Sequence, residues 1–360
     1  METEREPIAD YIKRRAEKVN VKINRYLTDK SSVRYLETLL GRSGYSYDRR
    51  AIEKAVLEPS RYLFGRGGKR VRAVLMLTIM DALGKDSEEF IEFSLIPEVI
   101  HNGTLIHDDI EDASDMRRGA ESIHVKYGLD VALNLGDFMF FFPVIALLDS
   151  KKTGRDQKMK VLEIYQREML RLSIGQATDI AWHNNSITAD SVSEPQYLEM
   201  AYLKTGVLTG MAAKIAGVLC GADDQLIEAL GKFGATLGVA FQLQDDILNM
   251  SESRLSDLKG GAGEDVTEGK VTLLTVKTFE TAEKGDRDRL KAILEMHTKD
   301  PGAIDEARSI IRKYNAEEYV RQLQLDLMKN AWESVDRLVK DSEAKTRLKE
   351  MADFLINRTV

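Results

Sequence analysis

Cysteine is almost absent from this chain of 360 residues: Cys220 is its single thiol, so no internal disulfide can form. It sits in the apolar run Ile215–Cys220, a pattern that fits a reducing, cytoplasmic compartment. Proline is scarce too, with 6 in the whole length, and no Pro/Gly/Ser-rich linker divides the chain. One domain over residues 1–360 is therefore expected. Histidine occurs 5 times, at 101, 107, 124, 183 and 297. His101 and His107 do not share a helical face well, which argues against an imidazole metal site. No unbroken apolar run reaches the length of a membrane span, and the charged amino terminus is unlike a signal peptide. Basic excess is missing as well. A net charge of −7 with 31% charged residues excludes a general nucleic-acid binder.

What is present is helical periodicity. Hydrophobic residues make up 43% of the chain, and they recur at spacings of three and four without period-two alternation. Helices are predicted over roughly 8–27, 32–41, 49–61, 70–83, 87–110, 130–149, 155–182, 194–220, 223–250, 271–284, 286–297, 302–313, 316–340 and 342–357. Loops are marked at 65–68, 151–156, 183–193 and 251–269. Stretches such as 94–106 and 138–148 are apolar nearly all round, as helices buried on every side must be. The fold class expected is all-α, a core bundle wrapped by outer helices.

Two acidic clusters end long apolar helical runs: Asp108-Asp109-Ile110-Glu111-Asp112 and Asp245-Asp246-Ile247-Leu248-Asn249. Helical spacing puts Asp108 over Asp112 and Asp245 over Asn249. Stacked like charges cost a helix roughly 0.2–0.5 kcal/mol per pair, so a site that uses them must supply cations. Hard oxygen donors favour Mg²⁺, which takes one or two carboxylates plus substrate phosphate oxygens. Two such faces across one cavity would clamp a diphosphate. An acidic helix end is more often a solvated surface. Here the preceding run from Leu95 to Ile106 is too apolar for that, and Arg117 and Arg118, suited to phosphate, follow at once.

Three weaker elements accompany the clusters. Gly67-Gly68-Lys69-Arg70-Val71-Arg72 is a glycine turn opening an apolar helix, an anion site or an ordinary helix start. The glycine-rich segment with Lys259, Asp265 and Lys270 is either a solvated loop or a flap over phosphates. Gly175–Asp179 and Lys204-Thr205 place polar groups inside apolar helices, where Lys204 implies a bound anion or a structural ion pair.

Along the chain these elements read GGKRxR, DDIED followed by RRG, GQxxD, KTG, FQxxDD and EDxTEGK. Six motifs in that order resemble the trans-isoprenyl diphosphate synthases (polyprenyl synthetases), over roughly residues 40–340. The segment His101-Asn102-Gly103-Thr104-Leu105-Ile106-His107 and the DDxxN form of the second cluster are most similar to geranylgeranyl diphosphate synthases. The resemblance implies an isoprenoid synthase-type helical bundle with a central apolar cavity, usually a homodimer. It implies three Mg²⁺ ions, held by Asp108 and Asp112 from one side and Asp245 from the other, with Asp109 and Asp246 supporting. Arg117, Lys204 and Lys259 would hold an allylic diphosphate (dimethylallyl, geranyl or farnesyl). Lys69, Arg72, His101 and Arg118 would hold isopentenyl diphosphate, with Phe241, Gln242 and Lys270 also among the substrate-binding groups. Oxygens of Thr205 and Gln242 would stabilise the allylic cation. Asn249 stands where the family more commonly has Asp and is not assigned to the metal.

The implied product is geranylgeranyl diphosphate. Gly103 and Thr104, small residues one turn and more before Asp108, are expected to leave the pocket open there. Phe138 or the run Phe140-Phe141-Phe142 is expected to supply its floor. Other readings are a farnesyl or longer-chain synthase, a class I terpene cyclase, and an inactive partner subunit of a heteromeric synthase. A cyclase needs no Lys69/Arg72 site, and inactive subunits usually lose one acidic cluster. An HD-type phosphohydrolase, suggested by His107-Asp108, leaves the second cluster unexplained.

Overall fold

A computed structural model describes residues 5–29, 32–41, 44–250 and 264–357. The described residues are α-helical with one two-stranded ladder, and they form two compact units.

The first unit comprises Met1–Glu163, Ile215–Asp223 and Lys340–Met351. Its helices include α1 (Ile8–Ile23), α2 (Ser32–Leu40), α3 (Arg49–Ile52), α4 (Glu58–Phe64), α5 (Val71–Ala82) and α6 (Leu95–Glu111). A β-ladder follows, β1 (Met116–Arg117) and β2 (Ala120–Glu121), then α7 (Ile123–Tyr127), α8 (Leu129–Phe141) and α9 (Ile145–Asp149). In α5, Ala73 to Met80 are buried without a gap, as its unbroken apolar sequence requires. A core of Val19, Leu57, Leu77, Leu95, Val99, Ile106, Leu135 and Met139 carries α6 against its neighbours. Residues 87–94 form a tighter 3₁₀ turn, so the helix predicted from 87 begins as α-helix only at Leu95. Cys220 is a free thiol that burial pushes up to about 12, which makes it a poor nucleophile.

The second unit comprises Ile164–Lys214, Asp224–Val339 and Ala352–Val360. It includes much of α10 (Arg155–His183) and α12 (Val207–Cys220), together with α11 (Glu194–Ala201) and α13 (Asp224–Met250). Beyond these lie α14 (Glu264–Thr267), α15 (Leu273–Thr281), α16 (Lys284–Glu295), α17 (Pro301–Lys313) and α18 (Ala316–Asp336), and α19 (Glu343–Ile356) enters it at its end. Tyr197, Met200, Leu243, Ile247, Leu273, Phe279, Leu290, Ile311 and Val320 form its core. Between α11 and α12 the chain widens into a π turn, Tyr202–Gly206. Such turns are frequent at functional sites.

Among the described residues three helical stretches, Leu129–Asp149, Glu194–Cys220 and Asp224–Met250, are long and apolar enough to cross a membrane by length and composition alone. Polar residues interrupt them, so a search for unbroken apolar runs passes over them. In the last two, 72% and 61% of the most apolar window is buried within the protein, so their apolarity serves packing.

Candidate active site

The first acidic cluster lies at the carboxyl end of α6, which stops at its C-cap Asp112. Ala113 follows with φ 50°, turning the chain away. Asp108 and Asp112 keep accessible surface, whereas Asp109 is 2% exposed. The ladder after it pairs Met116 with Glu121 and Arg117 with Ala120. Arg118 (φ 52°) and Gly119 (φ 76°) make its two-residue turn, and positive φ at both positions is what such hairpins demand. This hairpin was not predicted. Its signal was the Arg-Gly pair, but strands this short leave no alternation to read.

The hairpin sends its two arginines in different directions. Arg117 returns to the cluster, its Nε donating to Asp109 Oδ1 at 2.6 Å, and its Nη2 also pairs with that oxygen. Arg118 Nη1 donates to the Gly67 carbonyl at 2.9 Å. Burial raises the Asp109 carboxyl above its ordinary range, and the Arg117 charge pulls it back. Burial, followed by the Arg70 charge, lowers the Arg118 guanidinium. Burial and the charges of Arg72, Arg118, Arg117 and Arg70 push His101 well below the usual imidazole range. A neutral imidazole can donate a hydrogen bond but brings no charge. In the glycine turn Lys69 is exposed, Arg72 half-buried and Arg70 buried.

The second cluster lies near the end of α13. Asp245 is half-buried and Asp246 is 3% exposed. Tyr197 donates its hydroxyl to Asp246 Oδ2 at 2.5 Å, and Gln242 Nε2 donates to Oδ1 at 3.0 Å. Burial pushes the Asp246 carboxyl up to about 6, and these two hydrogen bonds oppose it. Thr205 Oγ1 donates to Gln242 Oε1 at 3.2 Å, so the two groups expected to face the allylic cation touch each other. Phe241, half-buried, precedes Gln242 on the same helix. Lys204 in the π turn donates to Asp179 Oδ2 at 2.5 Å. Gly175 allows this approach, since a Cβ there would lie 2.4 Å from the Lys204 amide nitrogen. Lys204 thus has a structural ion-pair partner from the GQxxD motif. Sequence reading missed Tyr197. It stands seven residues before Lys204 on the same helical run, and nothing local separates it from an ordinary core tyrosine.

Asn249 Oδ1 accepts the Asp265 backbone N–H at 3.2 Å, tying the 264–270 segment to the end of α13. Lys270 pairs with Glu268 at 2.5 Å. Lys259 lies outside the described residues.

The product-length residues differ from expectation. A Cβ on Gly103 would lie 3.0 Å from the Gly136 carbonyl oxygen and Met139 Cβ and 3.1 Å from Phe140 Cε1, so Gly103 faces α8, not open space. Thr104 turns its hydroxyl back to the His101 carbonyl at 2.8 Å. Phe138 stacks on Phe142 with ring centroids 5.1 Å apart, and Phe140 lies edge-on to His107, also at 5.1 Å. Phe141 is 74% exposed and is no interior floor within this chain. Helical rotation places consecutive residues of a phenylalanine run on different faces, and only packing says which face is inside.

Donor chemistry at each cluster taken by itself fits a hard divalent cation: accessible Asp108 and Asp112 in the first unit, and accessible Asp245 in the second, offer oxygen and no sulfur. Among the described residues no group of three His, Cys, Asp or Glu side chains could by itself hold a metal ion. Mg²⁺ suits such a set, because substrate phosphates complete its coordination.

An all-helical protein with paired aspartates on two helices and a basic glycine turn matches known proteins throughout. The family model of polyprenyl synthetase matches residues 53–311. A geranylgeranyl diphosphate synthase from Methanosarcina mazei is 32% identical over 83% of this chain and 88% of its own length. The crystal structure of geranylgeranyl pyrophosphate synthetase from Pyrococcus horikoshii is 29% identical, covers 98% of each chain and superposes with a TM-score of 0.81. A polyprenyl synthase from Caulobacter crescentus, solved with calcium and isoprenyl diphosphate, is 25% identical, covers 98% of each chain and has a TM-score of 0.80. The chain belongs to the polyprenyl synthetase family, whose members are trans-prenyltransferases.

Proposed function

We propose that this protein is a Mg²⁺-dependent prenyltransferase that condenses isopentenyl diphosphate with an allylic diphosphate, with geranylgeranyl diphosphate as its main product. The observation that carries the reading is that each acidic cluster has one aspartate locked into the protein, Asp109 or Asp246, and accessible carboxylates beside it. In this reading Asp108, Asp112 and Asp245 hold the metal, and Arg117, Lys204 and Lys259 hold the allylic diphosphate. Lys69, Arg72, His101 and Arg118 hold isopentenyl diphosphate, with Phe241, Gln242 and Lys270 close to the substrates.

Bound Mg²⁺ supplies Lewis-acid neutralisation of the charge that grows on the departing diphosphate. Arg117 and Lys204 add positive charge at the same group, each held in place by a carboxylate, Asp109 or Asp179. The hydroxyl of Thr205 and the amide oxygen of Gln242, already hydrogen-bonded to each other, orient lone pairs toward the allylic cation. Among the described residues no protein base is placed for the final proton, and a diphosphate oxygen accepts it. The chemistry requires the rest of the cavity to be dry and apolar, since water would trap the cation.

The test is direct. Purified protein with Mg²⁺, labelled isopentenyl diphosphate and each allylic primer should yield a twenty-carbon diphosphate as the main product on chromatography. Mainly fifteen-carbon product would overturn the product assignment, and no incorporation of label would overturn the reaction.

A further inference from the structure

The glycine turn carries three bases within four residues, yet they are not equivalent. Lys69 is exposed and Arg72 half-buried, while Arg70 is 2% exposed. The Arg70 guanidinium is used up inside the protein. Its Nε donates to Asn20 Oδ1 at 2.8 Å, its Nη1 to Glu98 Oε1 at 3.0 Å and its Nη2 to the Phe64 carbonyl at 3.3 Å. Glu98 is equally enclosed, with side-chain exposures of 1% for Arg70 and 3% for Glu98. Asn102 packs onto the same pair, donating to the Glu98 carbonyl at 2.8 Å. One side chain therefore ties together α1, the end of α4 and α6, all beneath the turn.

The turn is shaped around this side chain. Arg70 itself has φ 48°, a left-handed conformation unusual for a residue with a Cβ. Gly68 has φ 135°, and a Cβ on it would lie 2.9 Å from Arg70 Nη1 and 3.4 Å from Arg118 Nη2. Glycine at 68 is thus what lets two guanidiniums close on the backbone. Arg118 holds the turn by the Gly67 carbonyl. The carboxylate of Glu98 neutralises Arg70, so Arg70 adds little to the field that a phosphate would meet.

We propose that Arg70 is a positioning residue for isopentenyl diphosphate. It does not touch the substrate. Through Gly67 and Gly68 it sets where Lys69 and Arg72 present their charges. The inference rests on reading this turn as the isopentenyl diphosphate site.

The experiment compares the full-length protein with Arg70→Lys and with the double variant Arg70→Met/Glu98→Gln. Lysine keeps the charge beside Glu98 but cannot reach Asn20 and the Phe64 carbonyl together. The double variant removes both charges, so no unpaired carboxylate is left buried. Initial rates are measured with isopentenyl diphosphate varied at saturating allylic diphosphate, and the reverse. Folding is checked by circular dichroism and thermal unfolding. Both variants should raise KM for isopentenyl diphosphate about tenfold or more, with kcat and the allylic KM within about threefold of wild type. Equal rises in both KM values, or a double variant with wild-type KM for isopentenyl diphosphate, would overturn the positioning role. Wild-type protein without turnover of isopentenyl diphosphate would instead sink the functional reading. Calorimetric binding of inorganic pyrophosphate would then test the turn itself. Arg70→Lys should weaken it about tenfold, and unchanged binding would overturn the role.

Discussion

In α6 the buried aspartate of the acidic pair, Asp109, is held by a cation, Arg117, whereas in α13 its counterpart Asp246 is held by a phenol and an amide. Both are nearly inaccessible, at 2% and 3% exposure, and burial raises both carboxyls. The difference lies in what opposes burial. A guanidinium beside a carboxylate favours its charged form by direct attraction. A tyrosine hydroxyl and a glutamine amide offer hydrogen bonds without a countercharge, and Asp246 is left at about 6. The buried carboxylate of the first cluster has a cation beside it, whereas that of the second has only hydrogen-bond donors.

The largest test of this comparison removes the accessible aspartates. Asp108→Ala, Asp112→Ala and Asp245→Ala should each lower kcat by about 10²–10³, or ~2.7–4 kcal/mol of transition-state stabilisation. Thermal unfolding should be unharmed, because crowded negative charge has been relieved. Near-normal turnover of Asp245→Ala would mean that the two clusters are not partners.

Next in size is the loss of a holding group. Tyr197→Phe leaves Asp246 Oδ2 without its hydroxyl donor, which should cost about 1–3 kcal/mol of stability in denaturant unfolding. Arg117→Ala should mainly raise the allylic KM and Arg72→Ala mainly the KM for isopentenyl diphosphate. If both impaired one substrate equally, the division of the diphosphate sites would be wrong.

A smaller effect is the pH response of the metal-free protein. The Asp246 carboxyl is raised from 3.8 to about 6, so between those values the folded state binds more protons than the unfolded chain. Its contribution to stability is therefore greatest in acid and declines as pH rises through that window. Thermal midpoints of wild type and Asp246→Asn should diverge across it, and parallel curves would show that Tyr197 and Gln242 satisfy the charge fully.

The smallest expected change is in product length. Gly103→Phe presses on Met139 and Phe140 of α8, whose atoms lie 3.0 and 3.1 Å from the new Cβ. Product should shift toward fifteen carbons, and Phe140→Ala should shift it the other way. Unchanged product from both would remove α8 from length control.

Helix positions were legible because apolar spacing is a local property. α5, α10, α13 and α18 lie close to their predicted spans. The hairpin at 116–121 was not, since two residues per strand carry no period. Membrane-like hydropathy in α13 and its neighbours was hidden by interspersed polar residues. Phe141 was misplaced because burial of one face among adjacent phenylalanines is set by packing against another element.

The sequence by itself determined the all-α class, the two acidic clusters and the basic turn, since each is written in spacings shorter than two helical turns. Only the tertiary structure decided which charge does what. Whether Arg70 or Lys69 is buried depends on Asn20 and Glu98, 50 and 28 residues away. Whether Asp245 or Asp246 is locked depends on Tyr197, 49 residues before Asp246. Burial and pairing come from atoms brought close by folding, and no local pattern of residues encodes that proximity.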